Sequence, residues 1–275
     1  MTTPAPAPAP RRPDRALRVT LLTIGSALVA GMLILGGMQV ARAASHIDGD
    51  DTGVYAVSAD VTALKVDSSA SSVSIAYGDV DLPTLDFDSG GSPLRLTQQV
   101  SGQTLIVKVG GDGWLSFGFL NGFQNASLDI TLPRASAPVT LDVDSSAGAV
   151  DASGDFADVD LSSSAGSVTI AGSADSLQLH SSAGRVTGTD LDVPGDVRVT
   201  SSAGSAALTF TSLPSSMRVE SSAGSVRVAI PEGVYEIRAE TSLGSADVSV
   251  PSRPGASRLY SFESSAGSVT VEPAR

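Results

Sequence analysis

Along the C-terminal half of the chain apolar residues fall at every second position, in short runs that break at Ser145-Ser146-Ala147-Gly148 and at six later copies of it. The glycines of these copies are Gly148, Gly166, Gly184, Gly204, Gly224, Gly244 and Gly267, spaced by 18, 18, 20, 20, 20 and 23 residues. Seven residues before each glycine stand Leu141, Val159, Leu177, Val197, Met217, Ile237 and Tyr260. Five before it stand Val143, Leu161, Leu179, Val199, Val219, Ala239 and Phe262. Two residues after it come Val150, Val168, Val186, Ala206, Val226, Ala246 and Val269, and the fourth position after is again mostly aliphatic. This period of two predicts two short strands per copy, each buried on one face.

The apolar positions are odd before the glycine and even after it, so the chain must turn a corner there to keep one face inside. Glycine suits that corner because it accepts φ > 0. The residue before it is Ala147, Ala165, Ala183, Ala203, Ala223 or Ala266, with Leu243 the exception, and its small size predicts stacking on a tight inner bend. The serines are expected to form hydroxyl ladders along the corner.

A fixed period near 20 residues marks units that close a core only by stacking on one another. Connections too short for crossover helices then predict an all-β parallel β-helix, a solenoid of 18–23-residue rungs over 138–275. An antiparallel meander or sandwich also accommodates short alternating strands, but it does not require identical corners. The stretch Leu64 to Ile75 fits the same template with Ser71 in place of glycine, so the pattern reaches upstream into 54–137. In that part, Leu94–Gln99 and Thr104–Val109 flank Ser101-Gly102 as a predicted hairpin.

Residues 1–18 combine Pro-Ala alternation with four arginines and predict a disordered tail. Val19 to Val40 holds no charge, and its 22 residues reach about 33 Å as a helix, enough to cross a bilayer. A transmembrane signal anchor over 19–41 follows, preceding a linker over 42–53. The arginines place the N-terminus in the cytoplasm and the C-terminal domain outside it. The alternative is a secreted form cleaved near Ala43, since Ala41-Arg42-Ala43 has small residues in the right places.

Five of the 17 basic and one of the 29 acidic residues precede Ala43, which leaves 12 against 28, a net of −16, on the rest of the chain. Such a domain repels nucleic acid and anionic lipid. Among the outward positions, Asp144, Glu220, Glu240 and Glu263 stand four residues before their glycines, and Arg198, Arg218 and Arg238 six before. Stacked rungs bring these columns together, as ion pairs first and as a candidate interaction surface through Glu220, Glu240 and Glu263. A second candidate is a glycine-rich segment with four of the chain's 12 aromatic residues, Trp114, Phe117, Phe119 and Phe123. It reads either as a binding tip or as a cap on the coil's open end.

No catalytic constellation stands out. Cysteine is absent and the only histidines are His46 and His180; a triad drawn from His180 and Ser181 has no specificity, because serines adjoin that column in every copy. The three acids of the linker lack calcium-loop spacing, so no metal or other cofactor is expected. Asn125-Ala126-Ser127 matches a glycosylation acceptor.

One N-terminal membrane segment, a first half ending in Leu128-Asp129-Ile130-Thr131-Leu132-Pro133 and recurrent Val-x-Ser-Ser-Ala-Gly-x-Val units resemble the bacterial putative-adhesin β-strand-repeat family, over about residues 54–273. The resemblance implies an extracytoplasmic β-solenoid of largely unknown function and supplies no catalytic residues. The expected role is that of a non-enzymatic, membrane-anchored envelope-interaction protein, with a cell-wall polymer or surface protein as partner. Two alternatives are an envelope sensor acting through a cytoplasmic partner and, by fold analogy alone, a polysaccharide-acting enzyme.

Overall fold

The computed structural model describes residues 47–49, 52–57, 60–111 and 126–274. Residues 44–275 make one compact unit. Residues 1–18, expected to be a disordered tail, and 19–41, expected to be a membrane anchor, lie outside the described residues; among those described, no helix is long and apolar enough to cross a membrane.

The first eight strands are β1 (Ile47–Gly49), β2 (Gly53–Ala56), β3 (Ala63–Ser68), β4 (Ser72–Gly78), β5 (Thr84–Asp88), β6 (Arg95–Ser101), β7 (Thr104–Gly110) and β8 (Ser127–Pro133). The repeat region follows. There β9 (Val139–Ala147) precedes the first corner, while β10 (Val150–Ala165) and β11 (Val168–Ala183) each run from one corner to the next. The later copies split into β12 (Val186–Asp192), β13 (Asp196–Ala203), β14 (Ala206–Phe210), β15 (Ser216–Ala223), β16 (Val226–Ile230), β17 (Glu236–Leu243), β18 (Ala246–Val248), β19 (Leu259–Ala266) and β20 (Val269–Pro273).

Corresponding residues of successive copies pair in parallel. Val150 lies beside Val168, Val168 beside Val186, Val186 beside Ala206 and Ala206 beside Val226. All of these are buried, as are Leu161, Leu179, Val199, Val219 and Phe262 on the strands before the corners. Each aliphatic side chain so removed from water contributes roughly 1.5–3 kcal/mol, and no copy can bury both its columns without neighbours. The antiparallel meander is thereby excluded for the repeats. On the return side of the coil, Ser173 and Ser176 donate to Asp155 and Asp158 at 2.7 and 2.6 Å, again across 18 residues.

At the corners φ is positive, +151° at Gly166 for example, and a Cβ there would lie 2.8 Å from the Gly148 carbonyl carbon and closer still to its oxygen. Glycine is thus required twice over, by conformation and by the approach of the next rung's backbone. The alanines behave differently from expectation. From Ala165 onward those before the corner glycines are exposed, and the residue inside the bend is the serine three before the glycine. Strand alternation would put the residue before the glycine on the buried side, with the serine two positions earlier. Instead the last two residues before the glycine, such as Ser164 and Ala165, are both exposed, because the alternation breaks as the chain enters the corner.

The spatial order of the copies is not their chain order. β15 pairs with β19, and β17 pairs with the other side of β19. The seventh copy is therefore inserted between the fifth and the sixth, and β17 with β18 forms the end rung. That rung carries the weaker residues: Ala239 where others have Val, Leu or Phe, an exposed Ala246, and Leu243, whose side chain points to solvent at 74% exposure. A terminal rung has a neighbour on one face only, so large apolar groups there would remain wet, whereas Tyr260 and Phe262 are covered on both sides. Part of its open edge is blunted by the following loop, where Ser252 Oγ accepts from Ile237 N at 2.9 Å.

At the opposite end β3 and β4 stack in parallel under β9 and β10, and β7 and β8 under β3 and β4. Beyond them the pairing turns antiparallel, β6 on β7 and β5 on β8, with β1 and β2 outermost. The predicted hairpin is β6–β7, with Gly102 at φ +63° in its turn. Ile47–Gly49, within the stretch read as linker, supplies β1. Among the described residues nine rungs stack in parallel, two more than the glycine motif counts, because β3–β4, with Ser71 in place of the glycine, and β7–β8 join the seven copies.

A candidate interaction surface

The outward side chains of the strands before the corners form two parallel files. Four residues before the corner run Asp67, Asp144, Ser162, His180, Thr200, Glu220, Glu263 and Glu240, in spatial order. The swapped copies place Glu263 between Glu220 and Glu240, so the three glutamates singled out from the sequence stand on consecutive rungs at a spacing of ~4.8 Å. With Thr200 and the exposed Ser222 and Ser265 they line a polar groove of about 280 Å³.

Arg218, two residues before Glu220, pairs with it and reaches Glu263 with Nη2 at 3.2 Å. One guanidinium thus holds two carboxylates of neighbouring rungs, which offsets part of their repulsion and keeps Arg218 protonated more firmly than usual. Arg238 turns to Glu236 at 2.8 Å instead. Glu240 therefore ends the file on the exposed terminal rung, in register with a like charge. The pairs stand at the surface, where solvent screens them, so they order the file more than they stabilise the fold.

A second acidic group lies toward the other end of the same face. Lys65 is ion-paired with Asp142 and stands 3.9 Å from Asp144. Burial raises the Asp144 carboxyl above its ordinary value, and the neighbouring Asp142 charge adds to this while Lys65 partly opposes it. Asp160 is raised as well, by burial first and then by the charges of Asp142 and Asp144. The sequence reading singled out Asp144 alone. The signal for the others was present six residues before the corners, where Lys65, Asp142 and Asp160 occupy one column.

His180 is exposed whereas Ser181 is fully buried, so the two side chains leave opposite faces of the strand and cannot act together. Among the described residues no group of three or more His, Asp or Glu could hold a metal ion. Trp114, Phe117, Phe119 and Phe123, with His46 and Asn125, lie outside the described residues. The flanks of the aromatic segment are described. Ser69 N donates to Val109 O at 2.9 Å and Ser72 N to Ala126 O at 3.0 Å, so both flanks are held against the β3–β4 rung.

Among solved structures, the chain is similar to a putative cell adhesion protein from Clostridium sporogenes at 11% identity, covering 81% of this chain and 99% of that one with a TM-score of 0.41. It is similar also to a putative adhesin from Bacteroides fragilis at 14% identity, covering 86% and 100% with a TM-score of 0.36. A putative lipid binding protein from Parabacteroides distasonis shares 10% identity over 82% of this chain and 96% of that one, with a TM-score of 0.34. No curated protein matches the chain. The profile of the Toastrack DUF4097 family matches residues 61–274, from just before β3 to just after β20, and the chain belongs to that family.

Proposed function

We propose that this chain is a non-enzymatic, membrane-tethered scaffold that holds an acidic, hydroxyl-rich face outside the cytoplasm, for contact with a cell-wall polymer or a surface protein. The observation that carries this reading is the file Glu220, Glu263 and Glu240, fixed on three consecutive rungs beside a groove of serine and threonine hydroxyls. Side chains on a continuous parallel sheet are already ordered, so repeated weak contacts form at little entropic cost. Three carboxylates at this spacing favour a partner with a matching row of cationic or hydroxyl groups. The tether is the uncharged stretch 19–40, preceded by arginines on its cytoplasmic side.

The test is a binding screen of the purified chain against isolated cell-wall polymers and envelope proteins, with Glu220→Gln/Glu240→Gln/Glu263→Gln alongside. Binding that the triple variant loses, and that weakens as salt rises, supports the glutamate file. Binding lost only in Trp114→Ala/Phe119→Ala transfers the site to the aromatic segment. Fractionation of cells, with N-terminal sequencing of the mature chain, tests the tether: a chain beginning after Ala43 and found in the medium would replace the anchored form by the secreted one.

A further inference from the structure

The hydroxyls of Ser145, Ser163, Ser181, Ser201, Ser221 and Ser264 have no hydrogen-bond partner among the described residues, and each of these serines is 4% exposed or less. All six stand three residues before a corner glycine, and the registers place them in one line along the inside of the bend, in that order. An unpaired buried hydroxyl is costly, and six together would weigh heavily against the small net stability of a domain. Yet serine recurs here where alanine would fit the same space.

Spacing explains the choice. Rungs repeat at ~4.8 Å, too far for one hydroxyl to bond the next, which needs ~2.8 Å. Two hydrogen bonds of ~2.8 Å meeting near the tetrahedral angle span roughly 4.6 Å. A single water between successive serines therefore fits the repeat of the sheet.

The two ends of the line are closed by protein groups. Below Ser145 stands Ser68, whose Oγ lies 2.8 Å from Ser71 Oγ and accepts from Ser71 N at 3.2 Å. Beyond Ser264 stands Thr241, whose Oγ1 donates to the Gly267 carbonyl at 3.2 Å. Ser71 replaces the corner glycine and Thr241 replaces the serine, so two departures from the repeat sit where the line stops. The Thr241 bond also shows that the corner carbonyl of an adjacent rung is within reach of this column, a third partner of the kind a buried water needs.

We propose that this column is a water-binding site built into the fold: one internal water bridges each successive pair from Ser145 to Ser264, five waters for six hydroxyls. The direct test is a crystal structure of the protein at a resolution that shows ordered solvent. Density within about 2.6–3.2 Å of two successive serine oxygens, repeated along the column, is expected. Serine hydroxyls turned onto glycine carbonyls with no density between them would overturn the proposal. Thermal unfolding gives a second readout through Ser181→Ala and Ser201→Ala. Each is expected to lower the midpoint, and the double variant to lose less than the sum because both serines hold the same water, whereas Ser145→Ala and Ser264→Ala should add. A midpoint that rises on substitution, as it would for removal of a dry unpaired hydroxyl, or strict additivity for the adjacent pair, would refute the shared water.

Discussion

Gly224 and Gly244, the corner glycines of consecutive copies, do not stack on each other, because Gly267 stands between them. Gly224 N donates to Ala266 O and Gly267 N to Leu243 O, each at 2.9 Å, so the last copy is held between the fifth and the sixth. The consequence for function is that Glu263, not Glu240, adjoins Glu220.

Cysteine pairs can read that order directly, because the chain has no cysteine of its own. Glu220→Cys with Glu263→Cys places the two Cα atoms about 4.8 Å apart, within disulfide range. Glu220→Cys with Glu240→Cys leaves two rung spacings, roughly 10 Å. Oxidation is expected to cross-link the first pair and spare the second, as a mobility shift on non-reducing gels after proteolysis between the sites.

Gly204→Ala should destabilise the fold by roughly 3 kcal/mol or more, from positive-φ strain together with a collision against backbone. At φ +144° its Cβ would fall 2.8 Å from the Gly184 carbonyl carbon. Gly102→Ala, at φ +63° with nothing within 4 Å, should cost only about 1 kcal/mol. Urea unfolding of the two variants separates collision from conformation.

Leu179 is buried on a central rung and Val248 is 37% exposed on the end rung. Leu179→Ala is expected to cost about 2–5 kcal/mol and Val248→Ala less than about 1 kcal/mol. Equal effects would place the end of the stack elsewhere.

Asp144 and Asp160 are both raised above the ordinary carboxylate value, first by burial. A carboxyl raised on folding binds its proton more tightly in the native than in the unfolded state. Its ionisation therefore costs stability, and that cost is relieved as pH falls through the raised value toward the unfolded one. Asp144→Asn/Asp160→Asn should accordingly be more stable than the parent at pH 7, with the difference shrinking toward pH 4. Thermal midpoints across that range check the sign.

Tyr260 stacks on Tyr235 at 5.2 Å and donates to the Pro214 carbonyl at 2.8 Å, and burial pushes its phenol up to about 12. Because the native state keeps the proton, stability should fall once pH exceeds the unfolded value near 10. Ultraviolet titration is expected to show one tyrosine ionising near 12, absent in Tyr260→Phe. That substitution leaves the Pro214 carbonyl unpaired and should cost about 1–2 kcal/mol.

By itself the sequence determined the rung. Alternation on either side of a glycine states which side chains are buried and where the chain turns, because the period of a strand is a local property. Identical corners, together with copies too short to close a core alone, then favour parallel stacking over a meander. The order of rungs was decided only in three dimensions. Every copy presents nearly the same edge to every other, so local pattern does not distinguish the fifth copy's neighbours. Covering Tyr260 and Phe262 on both sides, while leaving Ala239 and Ala246 at the open end, makes that choice. The direction of the corner alanines, the antiparallel layers at the N-terminal end and the adjacency of Glu220 to Glu263 likewise depend on which surfaces remain once the whole stack is closed.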